Sequence, residues 1–248
     1  MSVFTVNKND EGDDSMSTSP IESNRNIVRS KIDSTAAACG RAPSSVRLVA
    51  VSKTKPSSDI EALYNSGHRH FGENYFQELL DKAATLPKDI SWHFIGHLQS
   101  AKASKLVREV GNLAVVETVD TEKLAKKLNS ACESADRACL DIFIQVDTSN
   151  EDTKSGVPAS EAASLAKAIS ESCPRLRVTG LMTIGAPGDM ACFDRLVECR
   201  VEVAATLGMD VDSLELSMGM SGDFEEAIHR GSTNVRVGST IFGPRIYN

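Results

Sequence analysis

The sequence predicts an α/β fold, a single (β/α)8 barrel of the TIM type. Its 248 residues suit one large domain, because α/β barrels often reach this size as one unit. Eight short apolar runs alternate with stretches of helical period, the pattern typical of a closed parallel sheet with helices outside it. No G-x-G-x-x-G motif is present to favour an open doubly wound sheet. The eight runs are Arg47–Ser52, Arg69–Gly72, Trp92–Gly96, Ala114–Val119, Asp141–Val146, Val178–Ile184, Ser213–Met218 and Asn234–Gly238.

Two helices are predicted around the first run. The apolar residues Val28 and Ile32 lie four positions apart, as on one face of a helix. They predict a first helix that ends near Gly40. After the first run, Ser58 has a glutamate three residues later, which is the pattern of a capping box. Gly67 then predicts the end of that second helix.

The later helices follow from the same kinds of signal. Asp120 is the expected cap of a helix in which leucines and a cysteine recur every four residues. The same spacing between Phe193 and Val201 predicts the apolar face of a long helix that ends at Gly208. Asp223 is expected to begin a short helix that Gly231 ends.

The charge and cysteine content limit the partners of the chain. The net charge is −7, and both nucleic acid and anionic membranes select proteins with a basic face. Neither is therefore expected as a partner, although a local basic pocket for one small anion is compatible with this balance. The six cysteines form no Cys-x-x-Cys pair and have no zinc-type spacing, so no metal site is predicted.

Residues 1–20 predict a disordered acidic tail, and residues 21–248 the barrel domain. The tail combines four acidic residues with Ser, Thr and Asn and has almost no apolar periodicity. It has neither the apolar stretch of a secretory signal nor the arginine-rich composition of a mitochondrial presequence. No apolar run reaches the length of a membrane span. The expected location is the cytoplasm.

The first candidate functional residue is Lys53, which directly follows the first run. Alternate residues of a strand share a face, so Val49, Val51 and Lys53 point the same way, toward the mouth where barrel active sites lie. Desolvation there disfavours the ammonium, and the nearby Lys55 adds like-charge repulsion. Both effects lower the pKa of the amine, as Schiff-base formation requires. The alternative is a solvated lysine in a loop.

The loops after the seventh and eighth runs predict a phosphate site. Residues 217–222 are small or hydroxyl-bearing, and Gly238 and Ser239 follow the last strand. Barrels often bind phosphate in these two loops, where hydroxyls and exposed backbone N–H groups form an anion cup. Each loop alone is an ordinary turn, but together with Lys53 they predict a phosphorylated carbonyl compound. The candidates are a sugar phosphate and pyridoxal phosphate.

Arg236 helps to distinguish these candidates. It lies two residues before Gly238 and so shares its face of the last strand, directed at the same pocket. A guanidinium donates hydrogen bonds but does not release its proton at physiological pH, so it would keep a facing pyridine nitrogen unprotonated. The alternative is a structural ion pair with an acid in the barrel mouth.

Longer motifs support the cofactor interpretation. They occur in order as LVAVSKTKP from Leu48, HFGENY from His70, WHFIG from Trp92, GLMTIG from Gly180, LSMGMS from Leu216 and GSTNVRVGSTIFG from Gly231. With these motifs the chain resembles the pyridoxal phosphate homeostasis protein family (YggS/PROSC-like), whose fold matches the barrel domain of alanine racemase. The motifs run from the first strand to near the C-terminus, so the resemblance covers the whole predicted barrel.

The resemblance implies roles for individual residues. In such proteins the lysine of the VSKTKP segment, here Lys53, holds pyridoxal 5′-phosphate (PLP) as an internal aldimine. The arginine of the last strand, here Arg236, faces the pyridine nitrogen. His93 is expected either in the pocket wall or as a satisfied core histidine. The other implied cofactor contacts are Asn74, Ser217, Gly238 and Ser239.

By the same resemblance the protein is expected to act in vitamin B6 homeostasis without catalysis, as a monomer, with apo PLP enzymes as candidate recipients of the cofactor. A racemase of this fold needs a tyrosine base from a separate domain, and Tyr64, Tyr75 and Tyr247 belong to none. A pyridine that faces arginine is also a weaker electron sink. The alternatives are a PLP-dependent racemase or decarboxylase, and a Schiff-base aldolase for a sugar phosphate.

Overall fold

A computed structural model describes residues 19–149 and 155–244, and it confirms the predicted (β/α)8 barrel. In this part of the chain eight parallel strands close into a cylinder, and each is followed by a helix. Residues 1–18 of the predicted acidic tail lie outside the described residues. The strands are β1 Arg47–Val51, β2 His70–Glu73, β3 Ser91–Phe94, β4 Leu113–Val119, β5 Leu140–Asp147, β6 Leu176–Met182, β7 Glu215–Ser217 and β8 Asn234–Val237.

Parallel pairing between neighbours in chain order closes the barrel. β8 returns to β1, with Asn234 opposite Arg47 and Val237 opposite Ala50. A further two-residue strand, Val157–Pro158, pairs with the end of β5. Because all eight strands run the same way, their C-terminal ends meet at one mouth of the barrel. Whatever follows each strand is therefore brought to that mouth.

Nine helices are found in the described ranges, one before β1 and one after each strand. Ser19 caps the first of them, with its hydroxyl accepting a hydrogen bond from the backbone N–H of Glu22, and Pro20 occupies the first helical position. No described helix is both long and apolar enough to cross a membrane. The helices are α1 Pro20–Ala38, α2 Ser57–Asn65, α3 Phe76–Thr85, α4 Ala103–Glu109, α5 Glu122–Ser134, α6 Ala162–Ser172, α7 Ala191–Leu207, α8 Phe224–His229 and α9 Ser239–Phe242.

The apolar core has an outer and an inner part. The outer part lies between the sheet and the helices and is continuous around the barrel, with Leu48 and Ala50 facing it from β1. The inner part is a small cluster of Val115, Phe143 and Met182. The rest of the barrel interior is therefore available for polar side chains.

Two predicted helix caps are wrong. α2 begins at Ser57 after Pro56, so Ser58 lies inside the helix, where its side chain cannot cap the first turn. α5 is capped by Thr121 instead of Asp120, and its hydroxyl accepts a hydrogen bond from the backbone N–H of Leu124 at 3.3 Å. In each case the predicted residue lies one position or more away from the actual cap position, where its side chain cannot accept from the first turn.

The predicted apolar face of α7 is wrong at Val201, which is half exposed. A four-residue spacing advances 40° beyond a full turn of an α-helix, so two such steps carry the side chain from the core to the surface. The buried side of α7 instead includes Cys192, Leu196, Cys199 and Val203.

Candidate functional site

A cavity of about 300 Å³ opens at the C-terminal ends of the strands. Five of the six predicted site residues line it, and they come from the ends of three different strands. The five predicted residues are Lys53, Asn74, Arg236, Gly238 and Ser239. Val51 and Ile95 contribute apolar surface to the same wall.

Lys53 lies in a tight turn at the end of β1. The turn is closed by a hydrogen bond of 3.0 Å from the backbone N–H of Lys55 to the carbonyl of Ser52. Thr54 has φ +62°, a left-handed conformation that is unfavourable for a β-branched residue. Its backbone N–H donates to Glu78 at 2.8 Å, which compensates in part for this conformation. The turn that presents Lys53 is therefore defined by its surroundings.

A buried lysine supports this turn from below. Lys82 on α3 donates to the carbonyl of Ser52 at 2.9 Å, to Glu73 at 2.7 Å and to Glu78 at 3.0 Å. The hydroxyl of Ser52 also donates to Glu73, at 2.7 Å. Burial raises the pKa of Glu73 in spite of the charge of Lys82. Sequence reasoning missed this cluster, although the i, i+4 spacing of Glu78 and Lys82 was a visible signal.

Lys55 is the second lysine in the cavity wall, and its amine has a defined structural role. It donates to the carbonyl of Phe242 at 2.9 Å and to the carbonyl of Pro244 at 2.9 Å. These bonds tie the turn after β1 to the end of α9.

Arg236 is buried, yet its guanidinium reaches the cavity. One amino group donates to the hydroxyl of Ser217 at 2.6 Å and the other to the carbonyl of Thr183 at 2.8 Å. Burial lowers the pKa of Arg236, and the charge of Glu117 opposes that shift. The guanidinium is thus held in the cavity wall by Ser217 and Thr183.

Glu117 provides the buried negative charge behind Arg236. It accepts hydrogen bonds from the hydroxyl of Ser217 at 2.5 Å and from the side chain of Asn234 at 3.3 Å, and His93 Nδ1 lies 2.6 Å from it. Burial favours a higher pKa for Glu117, but the hydrogen bond and charge of His93 and the charge of Arg236 hold it below its ordinary value. His93 is therefore a satisfied core histidine, the second of its two expected roles.

Ser217 is the one predicted site residue that the structure places behind the cavity wall. It is fully buried, and its hydroxyl is engaged by Glu117 and Arg236. Ser221, four residues later, lines the cavity in its place, and its hydroxyl accepts the backbone N–H of Gly238 at 3.3 Å. Sequence reasoning noticed the stretch that contains Ser221 without singling it out.

Asn74 and Gly238 show that this mouth suits a bound ligand. The side-chain oxygen of Asn74 is buried and has no hydrogen-bond partner among the residues that the structure describes. Gly96 allows the chain to pass this close, because a Cβ there would lie 1.9 Å from the carbonyl oxygen of Asn74. A Cβ on Gly238 would meet the carbonyl oxygen of Val51 at 3.1 Å. An unsatisfied buried amide in a cavity wall points to a missing partner.

The residues present fit a phosphorylated pyridine aldehyde. Lys53 supplies an amine and Arg236 a donor for a ring nitrogen, while Ser221, Gly238 and Ser239 supply a cup of hydroxyl and backbone groups for phosphate. No group of acidic, histidine or cysteine side chains within the described ranges could hold a metal ion. The amine, guanidinium, hydroxyl and backbone donors of the cavity suit an organic anion.

The fold and the cavity define a class of protein, the barrels that place a lysine after β1 and an arginine on the neighbouring β8 in one cavity. Residues 27–245 match the family described as alanine racemase, N-terminal domain. A pyridoxal phosphate homeostasis protein of Mus musculus is 49% identical over 215 residues, which cover 82% of this chain and 78% of that protein. The one of Escherichia coli K12 is 42% identical over 229 residues, with 89% and 95% covered. The chain belongs to the pyridoxal phosphate homeostasis protein family.

Solved structures agree with this assignment. PipY of Synechococcus elongatus PCC7942, solved with PLP bound, is 32% identical and superposes with a TM-score of 0.68, covering 86% of this chain and all of that one. Alanine racemase of Corynebacterium glutamicum superposes with a TM-score of 0.66 at 16% identity, covering 90% of this chain and 62% of that one. The second likeness shows the shared barrel fold.

Proposed function

We propose that this chain binds PLP in the cavity at the strand ends, as a Schiff base on Lys53, and that it holds the cofactor for homeostasis without catalysing a reaction. The observation that carries the proposal is the meeting of Lys53, Arg236 and the loops after β7 and β8 in one cavity. The PLP-bound PipY structure of the same family supports it.

Each wall residue then has a role that follows from its position. Lys53 supplies the amine, and Arg236 faces the pyridine nitrogen and keeps it unprotonated. Ser239 contacts the phosphate through its backbone N–H and hydroxyl, and Gly238 lets the backbone approach the phosphate closely. Ser221 makes the direct contact that was predicted for Ser217. Ser217 acts indirectly, by holding Arg236. The amide of Asn74 gains the partner that it lacks, beside the cofactor.

The positions of the tyrosines support a role without catalysis. Tyr64 lies away from the cavity and donates its hydroxyl to Asp89 at 2.6 Å. Tyr75 is half exposed and outside the cavity wall, so within the described ranges no tyrosine is placed as a second base. PLP would supply an electron sink when bound, but a pyridine that faces Arg236 is a weak one. Apo PLP enzymes are the recipients that we propose for the held cofactor.

The first test compares the two lysines of the cavity wall. The protein incubated with PLP should show a visible absorption band that borohydride fixes covalently to Lys53. Lys53→Ala should lose both the band and the fixation. Lys55→Met is the matched control, because Lys55 lines the same cavity but is held by the carbonyls of Phe242 and Pro244, and it should keep both.

The outcomes separate the remaining functions. Fixation on Lys55, or a band that survives in Lys53→Ala, would contradict the assignment of the lysine. Amino-acid turnover that disappears with Lys53→Ala would establish a racemase or decarboxylase in place of a carrier. A protein that stays colourless with PLP would favour the Schiff-base aldolase.

A further inference from the structure

A second cavity, of about 970 Å³, lies at the opposite end of the barrel, where the strands begin. Its wall contains six arginines and two histidines, and two carboxylates also belong to it. This concentration of positive charge contrasts with the net charge of −7 of the whole chain. The charged residues are Arg25, Arg29, Arg41, Arg47, Arg69, Arg200, His68, His70, Asp212 and Glu215.

The carboxylates near this cavity do not balance its arginines. Four of the six arginines have an acidic partner within salt-bridge distance, and Arg25 and Arg41 have none in the described part of the chain. Arg25 and Arg41 therefore have no described carboxylate in direct contact. The four pairs are Arg29 with Asp33, Arg47 with Glu215, Arg69 with Asp89, and Arg200 with Asp212.

Arg200 is the arginine whose bonding is least complete. Its nearest carboxylate, that of Asp212, is 3.7 Å away on a side chain that is 92% exposed. Its Nε is fully buried and has no acceptor among the described residues. Burial lowers the pKa of Arg41; the positive charge of Arg200 acts in the same direction, and the charge of Asp212 opposes it.

A purely structural role explains some of these arginines. Arg25 donates to the carbonyl of Ser66 at 2.9 Å, and Arg41 donates to the carbonyl of Ile228 at 3.2 Å. Both carbonyls lie at the C-terminal ends of helices, which favour cations. This role leaves the buried, unpartnered Nε atoms of Arg25 and Arg200 unexplained.

The two histidines add polar but uncharged surface. Burial lowers the pKa of His68 to about 4 and that of His70 to about 3, and the charges of nearby arginines act in the same direction. Both rings are neutral at pH 7. A bound anion would oppose the arginine charges and raise both pKa values.

We propose that this cavity, defined by the wall around Arg41 and Arg200, binds the dianionic phosphate group of a small molecule. A dianion matches the excess of six arginines over two carboxylates in this wall, and arginine forks bind phosphate oxygens in pairs. The volume exceeds that of a free phosphate, so an organic phosphate monoester also fits. No lysine lines this cavity within the described ranges, so binding here is non-covalent and distinct from the proposed PLP site.

The test uses the full chain in phosphate-free buffer and follows the histidine ring resonances by NMR as inorganic phosphate is added. The resonances of His68 and His70 should shift saturably, whereas those of the exposed His97, which is outside this cavity, should stay unchanged. The readout needs no PLP, so a negative phosphate titration can be distinguished from a failure of the proposed PLP-binding function.

Pyridoxine 5′-phosphate, which has no aldehyde, is the second probe. If this ester binds more tightly than inorganic phosphate, the rest of the cavity holds the organic part of a phosphate monoester. If the two bind equally, the site is one for free phosphate.

Arg200→Met keeps the apolar stem and should weaken phosphate binding at least 10-fold. Arg108→Met removes an arginine that is 65% exposed outside the cavity and should leave the affinity unchanged. Arg200→Met should not lower the urea midpoint without phosphate, because it removes an unsatisfied buried donor. Unshifted His68 and His70 resonances at tens of millimolar phosphate would overturn the proposal. So would a lowered midpoint with unchanged affinity, which would make Arg200 structural.

Discussion

At the scale of single residues, Glu117 organises the polar interior of the barrel. It is fully buried, it accepts hydrogen bonds from Ser217 and Asn234, and it lies beside His93. Such a charge is tolerable only when it is paired and hydrogen-bonded. Through Ser217 it also fixes the direction of Arg236. A residue remote from the cavity thus determines how the cavity wall presents its guanidinium.

The histidines predict how stability depends on pH. The folded pKa of His68 is about 4 and that of His70 about 3, both below the unfolded value of about 6.5. Between these values the unfolded chain binds protons that the folded chain does not, so the free energy of unfolding falls as pH falls below about 6.5. For His68 the slope reaches at most ~1.4 kcal/mol per pH unit, and it is smaller for the less buried His70.

Urea unfolding at several pH values between 7 and 5, without phosphate, measures this slope. The lowered pKa of Glu117 adds nothing in this window, since its contribution is lost only below about pH 4.5. His68→Asn should reduce the slope, whereas His97→Asn should not, because His97 is exposed. The raised pKa of Glu73 acts in the opposite direction as pH falls, so the comparison between variants isolates the histidine contribution. An equal slope in His68→Asn and in the unchanged chain would contradict the burial of the His68 ring.

At the scale of elements, the turn after β1 depends on α3. Glu78 and Lys82 lie one helical turn apart on α3, and together they bind the backbone of Ser52 and Thr54. Glu73, at the end of β2, joins them from the neighbouring strand. The strained turn is thus held by a helix and a strand that form independently of it. This arrangement suits a turn that presents a reactive lysine in one position.

The element-scale prediction concerns Lys82→Met. The change leaves the carboxylate of Glu73 buried with the hydroxyl of Ser52 as its remaining described hydrogen-bond donor. Breaking a buried pair in this way costs about 3–5 kcal/mol. Lys126→Met is the control, since its ion pair with Glu122 is exposed and surface pairs contribute little to stability. Urea unfolding measures both, and equal effects of the two variants would show that the cluster around Lys82 contributes no more than a surface pair.

At the scale of the whole molecule, the barrel separates two cavities of different chemistry. The cavity at the strand ends contains Lys53 and Arg236, and the cavity at the strand starts is rich in arginine. A chain of polar contacts spans the interior between them, since His70 lies 3.2 Å from His93, which contacts Glu117. The outer core is continuous around the sheet and connects the two ends of the barrel.

Continuity of the core predicts cooperative unfolding. Trp92 is the one tryptophan of the chain, is fully buried and belongs to the outer core. Its fluorescence therefore reports on the barrel as a whole. Urea transitions followed by this fluorescence and by far-ultraviolet circular dichroism should coincide, as in two-state unfolding. Separate midpoints would show that part of the barrel unfolds independently.

Local pattern was sufficient for most of the fold. The eight runs match the eight strands within two residues at each end, and the predicted helices follow them in order. The errors are at caps and faces, such as Thr121 in place of Asp120 and the exposed Val201. A cap depends on the direction of one side chain, and a helix face depends on small angular increments. Residue spacing specifies neither closely enough.

By itself, the sequence determined the closed barrel and the gathering of Lys53, Asn74, Arg236, Gly238 and Ser239 at one mouth. The physical reason is that parallel strands bring everything that follows them to the same end. Only the tertiary structure decided which residues that are distant in sequence come into contact. Ser221 lines the cavity whereas Ser217 lies behind Arg236, and the partners that support the site lie up to 100 residues from them. Hydrogen bonds and buried charges depend on distances of a few ångströms, which the packed barrel sets and which no local pattern encodes.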